Sequence, residues 1–252
     1  MIGWIRKLFA PQRAIPGTLW QLTLIQYPFL ADRPAADQAR LRTLTAQFLS
    51  QKEFSGTHGL VVTDEMAVAI AAQACLPVLH LGLKLYDDFK GIVVHPGAML
   101  ARRSVVDVAG VHHFYNEELV GEAMEGGPVT LSWQDVAASS ERQAQGYNVV
   151  IHEFVHKIDM RDGTANGCPP LATRQAKAAW QSTMQAAYES FQHQVAMAER
   201  FGAEPAWLDA YGATSPAEFF AVALEAYFVN PSRFEREFAS LKTLFDTFFS
   251  SK

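Results

Sequence analysis

Residues 147–159 read Tyr147-Asn148-Val149-Val150-Ile151-His152-Glu153-Phe154-Val155-His156-Lys157-Ile158-Asp159 and hold one His-Glu-x-x-His. The run is free of turn residues and reads as a single helix. At about 3.6 residues per turn, His152 and His156 lie one above the other on one face, roughly 6 Å apart at Cβ. Two imidazoles so placed can share one Zn²⁺ at about 2.0–2.1 Å per bond. Glu153 is the next residue round the cylinder, off the ligand axis but within reach of a water on the ion, where it would act as general base. Val149, Val150, Phe154, Val155 and Ile158 make the rest of the helix apolar, so the polar site is set into a buried rod. The plainer alternative is a core helix with two histidines and a stray glutamate. Burying a carboxylate between imidazoles is costly unless it is paired or metal-bound, and the metal reading is favoured.

A catalytic Zn²⁺ takes three protein ligands and keeps an open position, so two histidines are not enough. A nearby third histidine is missing, because His-Glu-x-x-His-x-x-Gly-x-x-His would need Gly at Asp159 and His at Asp162. The best remaining stretch is Ser215-Pro216-Ala217-Glu218-Phe219-Phe220-Ala221-Val222-Ala223-Leu224-Glu225-Ala226-Tyr227-Phe228, a second apolar helix with Glu218 and Glu225 seven residues apart on one face. Ser215-Pro216-Ala217-Glu218 is also a capping box, with Ser at the N-cap, Pro at N1 and Glu at N3. Spacing therefore leaves open whether Glu218 is ligand or cap, with Glu225 as a third option.

The chain has 252 residues, 49 % of them hydrophobic and 19 % charged, which allows a substantial core in one domain. A net charge of −5 without any Lys/Arg stripe argues against direct nucleic-acid binding. Cys75 and Cys168 stand far apart, as expected in a reducing compartment rather than in a disulfide framework. The opening Met1-Ile2-Gly3-Trp4-Ile5-Arg6-Lys7-Leu8-Phe9-Ala10-Pro11 lacks a signal-peptide core and is too short to span a bilayer. A cytoplasmic protein without membrane attachment is expected.

Residues 1–35, punctuated by Pro11, Pro16, Pro28 and Pro34, read as an irregular arm. Leu41, Leu44, Phe48 and Leu49 recur at helical spacing over residues 37–52. Residues 54–59 read as a turn-rich connection before the apolar Leu60-Val61-Val62, and an Ala-rich helix follows from Thr63-Asp64 to about Ala74. Gly91-Ile92-Val93-Val94-His95 and Val105-Val106-Asp107-Val108 look like strands, and Gly127-Pro128-Val129-Thr130-Leu131-Ser132-Trp133 alternates like a third. The expected fold class is α+β. A small mixed sheet with helices occupies about 36–160 and ends in the His-Glu-x-x-His helix, and a mainly helical lobe over about 161–252 supplies the third ligand. The cleft between them would hold the site. In His-Glu-x-x-His hydrolases a sheet edge commonly takes the substrate as an added strand, and residues 129–133 are the candidate edge. Helices are expected over 173–201, 215–229 and 232–249, with 204–214 irregular.

His152-Glu153-Phe154-Val155-His156-Lys157-Ile158-Asp159-Met160, followed by Tyr211 and by Ser215-Pro216-Ala217-Glu218-Phe219-Phe220-Ala221, resembles the Mlc titration factor A family. These are bacterial cytosolic zinc peptidases related to the catalytic domain of anthrax lethal factor. The likeness runs over most of the chain, including residues 60–74 and Pro96-Gly97. It implies a zincin-like fold of the gluzincin type with one Zn²⁺ on His152, His156 and Glu218. Glu153 would be the base, and Tyr211 the residue that assists the transition state. It also implies a peptide substrate, an aminopeptidase-like action among the options, and binding of the glucose-responsive repressor Mlc. A non-catalytic protein that only sequesters such a repressor is the alternative. Read without the resemblance, Tyr211 is a loop aromatic on the cleft wall. Asp159 or Asp162 can accept the free N–H of a ligating histidine or merely cap the helix. His112-His113 with Glu117 and Glu118 read as solvated surface rather than a second metal cluster. His58, His80, His95 and His193 are isolated, and Cys168 reads as an ordinary loop cysteine rather than an inhibitory thiolate.

Overall fold

The computed structural model describes residues 14–106 and 112–250. The N-terminal segment is a correction: from Gly17 onward it is helical, as α1 (Gly17–Gln26) and α2 (Pro28–Ala31). Pro16, Pro28 and Pro34 start helices instead of breaking them, and residues 1–13, with Pro11, lie outside the described residues. Pro16 and Pro34 are N-cap residues and Pro28 is the first residue of α2, where a missing N–H costs nothing. Trp20, Leu24, Tyr27, Phe29 and Leu30 join the core. The Tyr27 hydroxyl donates to Val136 O at 3.2 Å, and Arg33 Nη2 donates to Phe228 O, tying the segment to distant parts of the chain.

α3 (Ala35–Gln51) buries the Leu41, Leu44 and Phe48 face expected from its periodicity. β1 (Glu53–Gly56) occupies part of the stretch read as a turn-rich connection, and Leu60-Val61-Val62 carries no regular structure. α4 (Asp64–Cys75) starts where Thr63 Oγ1 accepts the Met66 N–H at 3.3 Å. Its alanines let it pack closely on α3.

β2 (Gly91–His95) is the strand read from sequence. β3 (Met99–Val106) covers Val105-Val106, and Asp107-Val108 lie outside the described residues. β3 pairs antiparallel with β4 (His112–Leu119) as a separate ribbon. The side chains of His112, His113, Glu117 and Glu118 lie outside the described residues. β5 (Gly121–Ala123) and β6 (Val129–Ser132) complete a sheet of order β1-β2-β6-β5, parallel except for β5.

That order corrects the expected edge. β6 lies between β2 and β5, and the edge beside the site is β5. Alternation in residues 129–133 reports a half-buried strand, with Val129 and Leu131 inside, but says nothing about its neighbours. The true edge, Gly121-Glu122-Ala123, is too short and small to carry a strand signal.

α5 (Trp133–Ala138) follows β6 directly. α6 (Val149–Asp159) is the expected central helix, packed between α8 (Pro216–Val229) and the β5–β6 side of the sheet. α7 (Arg174–Phe201) is the long amphipathic helix. The expected helix over 232–249 is two, α9 (Pro231–Glu237) and α10 (Ala239–Phe249), broken at Phe238. The break folds α10 back so that Phe245 stacks on Phe234, with centroids 5.7 Å apart. Trp180, Phe220 and Phe245 lie at the centre of this aromatic lobe. The architecture is α+β and zincin-like.

Candidate metal centre

α6 begins at Asn148, whose Oδ1 accepts the Ile151 N–H at 2.9 Å. The helix is buried along its length except at His152, which is half-buried. His152 Nε2 and His156 Nε2 stand 3.2 Å apart. Glu218 Oε2, from the first turn of α8, lies 3.0 Å from the former and 3.3 Å from the latter. Ligand atoms at about 2.0–2.1 Å from one tetrahedral ion stand roughly 3.3 Å apart. The triangle therefore has the size such an ion requires, and its two-nitrogen, one-carboxylate donor set suits zinc. Among the described residues, these three form the one group of His, Cys, Asp or Glu side chains able to hold a metal.

The two readings of Glu218 separate cleanly. Ser215 Oγ accepts the Glu218 N–H at 3.2 Å, so Ser215 caps α8. The Glu218 carboxylate meanwhile faces the imidazoles. The capping box is half-formed, and its acid is turned to the site.

Glu225 lies on the same face two turns later and takes a different task. Its Oε1 is 2.7 Å from His152 Nδ1, and its Oε2 accepts the Asn148 backbone N–H at 2.5 Å. A proton on Nδ1, donated to Glu225, leaves the Nε2 lone pair aimed at the metal position. Of the two roles left open for Asp159 and Asp162, that of acceptor at His152 falls to Glu225. Asp159 accepts the backbone N–H groups of Asn166 and Gly167, each at 2.8 Å, and of Cys168 at 3.0 Å, pinning the loop after α6. Asp162 pairs with Lys177 at 2.9 Å. Glu225 was legible as a carboxylate on the ligand face but competed there for the wrong role. Cys168 is buried and is not among the residues lining the metal cleft.

Burial sets the electrostatics. It lowers the His152 pKa, but hydrogen bonds accepted by Glu218 and Glu225 outweigh it and raise that pKa well above the usual histidine value. Burial likewise raises the Glu218 carboxyl, and the two imidazoles overcome it and hold the group well below the usual carboxylate range. Carboxylates on both sides of His152 thus make a field that favours positive charge at the triangle. Glu153, buried beside the triangle, has its pKa raised by desolvation, partly countered by the imidazoles.

Glu153 touches the edge strand. A Cβ built on Gly121 would fall 2.4 Å from Glu153 Oε1. Only glycine lets β5 lie this close to the carboxylate. Residues 119–123, Glu153 and the metal triangle line one cleft of about 560 Å³. Tyr211 also lines it, from a short 3₁₀ turn (Ala210–Ala213) started by Asp209. Its ring lies 6.2 Å from that of His152, and the residue is 46 % exposed.

Mlc titration factor A of Serratia proteamaculans (strain 568) is 38 % identical over 250 residues, covering 99 % of this chain and 92 % of that protein. The proteins of the same name from Yersinia pestis (strain Pestoides F) and Yersinia pseudotuberculosis serotype O:1b (strain IP 31758) are each 35 % identical over 99 % of this chain and 90 % of theirs. A family model described as glucose-regulated metallo-peptidase M90 matches residues 2–250. With that match running through both metal-facing helices, the chain belongs to the M90 family of glucose-regulated metallopeptidases.

Proposed function

We propose that the protein is a zinc-dependent peptidase with His152, His156 and Glu218 as metal ligands, Glu153 as general base and Tyr211 as oxyanion donor. The observation that carries this reading is the 3.0–3.3 Å donor triangle set directly beside a buried carboxylate. When bound, Zn²⁺ supplies Lewis-acid polarisation of the scissile carbonyl and lowers the pKa of water. Glu153 accepts the proton of the attacking water and delivers it to the leaving amine nitrogen, a task that suits a carboxyl raised by burial. The Tyr211 hydroxyl donates a hydrogen bond to the developing oxyanion, worth roughly 2.7–4 kcal/mol if it acts as other oxyanion donors do. Glu225 holds the His152 ring. The peptide lies along β5, whose ladder among the described strands is with β6 alone, and adds its own main chain to that edge.

A second role rests on the relatives, which bear the name Mlc titration factor A. The chain would also bind an Mlc-like repressor in the cytoplasm, through a surface that needs no hydrolysis. Among the described residues no helix is long and apolar enough to cross a membrane. Glu153→Gln separates the roles. Zinc retained, peptide cleavage lost and repressor binding kept is the expected result, and undiminished cleavage by the variant removes Glu153 from the mechanism.

A further inference from the structure

Lys157 follows the second histidine of α6 and lies one helical turn beyond Glu153, and its side chain is fully buried. Nζ donates to Met124 O at 2.8 Å and to Gly127 O at 3.3 Å. It faces Asp88 Oδ2 at 3.4 Å and lies 4.6 Å from the centre of the Phe89 ring. An ammonium has three donors, and two carbonyls and one carboxylate account for them. Met124 and Gly127 are the two ends of the turn joining β5 to β6, closed by the Gly127 N–H on Met124 O at 3.1 Å. Lys157 thus grips the hairpin at both ends of its turn.

β5 has three residues, so its own ladder gives it little hold. Its height above α6 is set instead at two places. The Glu153 carboxylate lies under Gly121, with no room for a Cβ between them, and the Lys157 ammonium lies under the turn. Residues four apart on a helix are spaced about 6 Å, near the advance of two strand residues, so one face of α6 meets both ends of β5. An apolar side chain would fill the same space without desolvating a charge. It could not donate to two carbonyls, and only donation fixes direction as well as contact.

The geometry points to Lys157 as a positioning residue for the substrate edge, holding the β5–β6 hairpin where an added peptide strand meets Glu153. This deepens the proposed peptidase reading and rests on it for the substrate, while the clamp itself can be read without catalysis.

The test uses the full-length, zinc-loaded protein as wild type, Lys157→Met, Lys157→Arg and Asp88→Asn. Hydrogen exchange is followed at residues 121–127 and along α6, together with zinc content and the kcat and KM of a blocked peptide long enough to span the cleft. Lys157→Met is expected to speed exchange in the hairpin by about tenfold or more with α6 unchanged. It should raise KM about five- to tenfold, change kcat by less than about threefold and retain zinc. Lys157→Arg should recover part of both effects. Asp88→Asn alters a partly exposed partner and should act in the same direction but less strongly, which keeps the test decisive if Lys157→Met does not fold. Unchanged hairpin exchange overturns the proposal, as does a loosening spread evenly over α6 and the sheet. A loosened hairpin with unaltered KM overturns the link to substrate. If the wild type cleaves no peptide, the peptidase reading fails on its own, and the exchange pattern still decides the clamp.

Discussion

Glu225 and His152 are joined by a 2.7 Å hydrogen bond at Nδ1, and the other oxygen of that carboxylate takes the Asn148 N–H at 2.5 Å. One side chain of α8 therefore holds both the amide of the residue that caps α6 and the ring of His152. Asn148 is itself anchored, with Nδ2 donating to Gln73 Oε1 at 2.7 Å on α4. The network fixes how far α6 can rotate against its neighbours, and so where the Nε2 lone pair points.

Glu225→Gln tests that link. The amide can still accept from Nδ1, but it removes the negative charge and sets an NH₂ against the Asn148 N–H. Zinc affinity measured by chelator competition is expected to fall about 10- to 100-fold. An affinity within twofold of wild type would take Glu225 out of the metal centre.

Ser215 and Glu218 should respond differently, although both belong to one capping motif. Ser215→Ala removes the acceptor of the Glu218 N–H and should cost about 1 kcal/mol of stability with zinc content unchanged. Glu218→Ala should abolish stoichiometric zinc. Thermal melts and metal analysis on the two variants distinguish the outcomes, and zinc retained by Glu218→Ala contradicts the ligand set.

Gly121→Ala places a methyl where the Glu153 carboxylate lies. Either the base or the strand must shift, and a displacement of about 1 Å near reacting groups can cost on the order of 10²-fold in rate. The expected result is a kcat lowered to that extent in a folded protein with full zinc. Equal turnover by Gly121→Ala would mean that the edge does not position the base.

Lys52 offers a pH signature. Its ammonium is nearly fully buried, donates to Tyr86 O and to Phe89 O, and lies 3.7 Å from the centre of the Phe89 ring. Burial lowers its pKa to about 8, with Asp88 opposing the shift. In the unfolded chain the group titrates near 10.5, so between those values the unfolded state binds more protons and stability gains as pH rises. The cost of the buried charge is fully present below about pH 8 and relieved above it. Denaturant melts from pH 7 to 10 should show wild type gaining on Lys52→Met across that window. A constant difference between them refutes the assignment.

The helical readings came through where a segment's own periodicity marks its buried face. α3, α4, α6, α7 and α8 all lie where spacing and caps placed them. The misreadings have local causes. Pro16, Pro28 and Pro34 stand at helix starts, where residue type alone looks the same as a break. Gly121-Glu122-Ala123 is too brief and small to announce a strand.

The relation between His152, Glu153 and His156 was legible in the chain itself, because covalent spacing and the helical period fix it before any packing occurs. The division of labour between Glu218 and Glu225, the reassignment of Asp159 to its loop and the identity of the edge strand were not. Each depends on how α8 docks on α6 or on the order of strands in the sheet. Those relations come from the fit of buried faces far apart in sequence, and no local pattern encodes them.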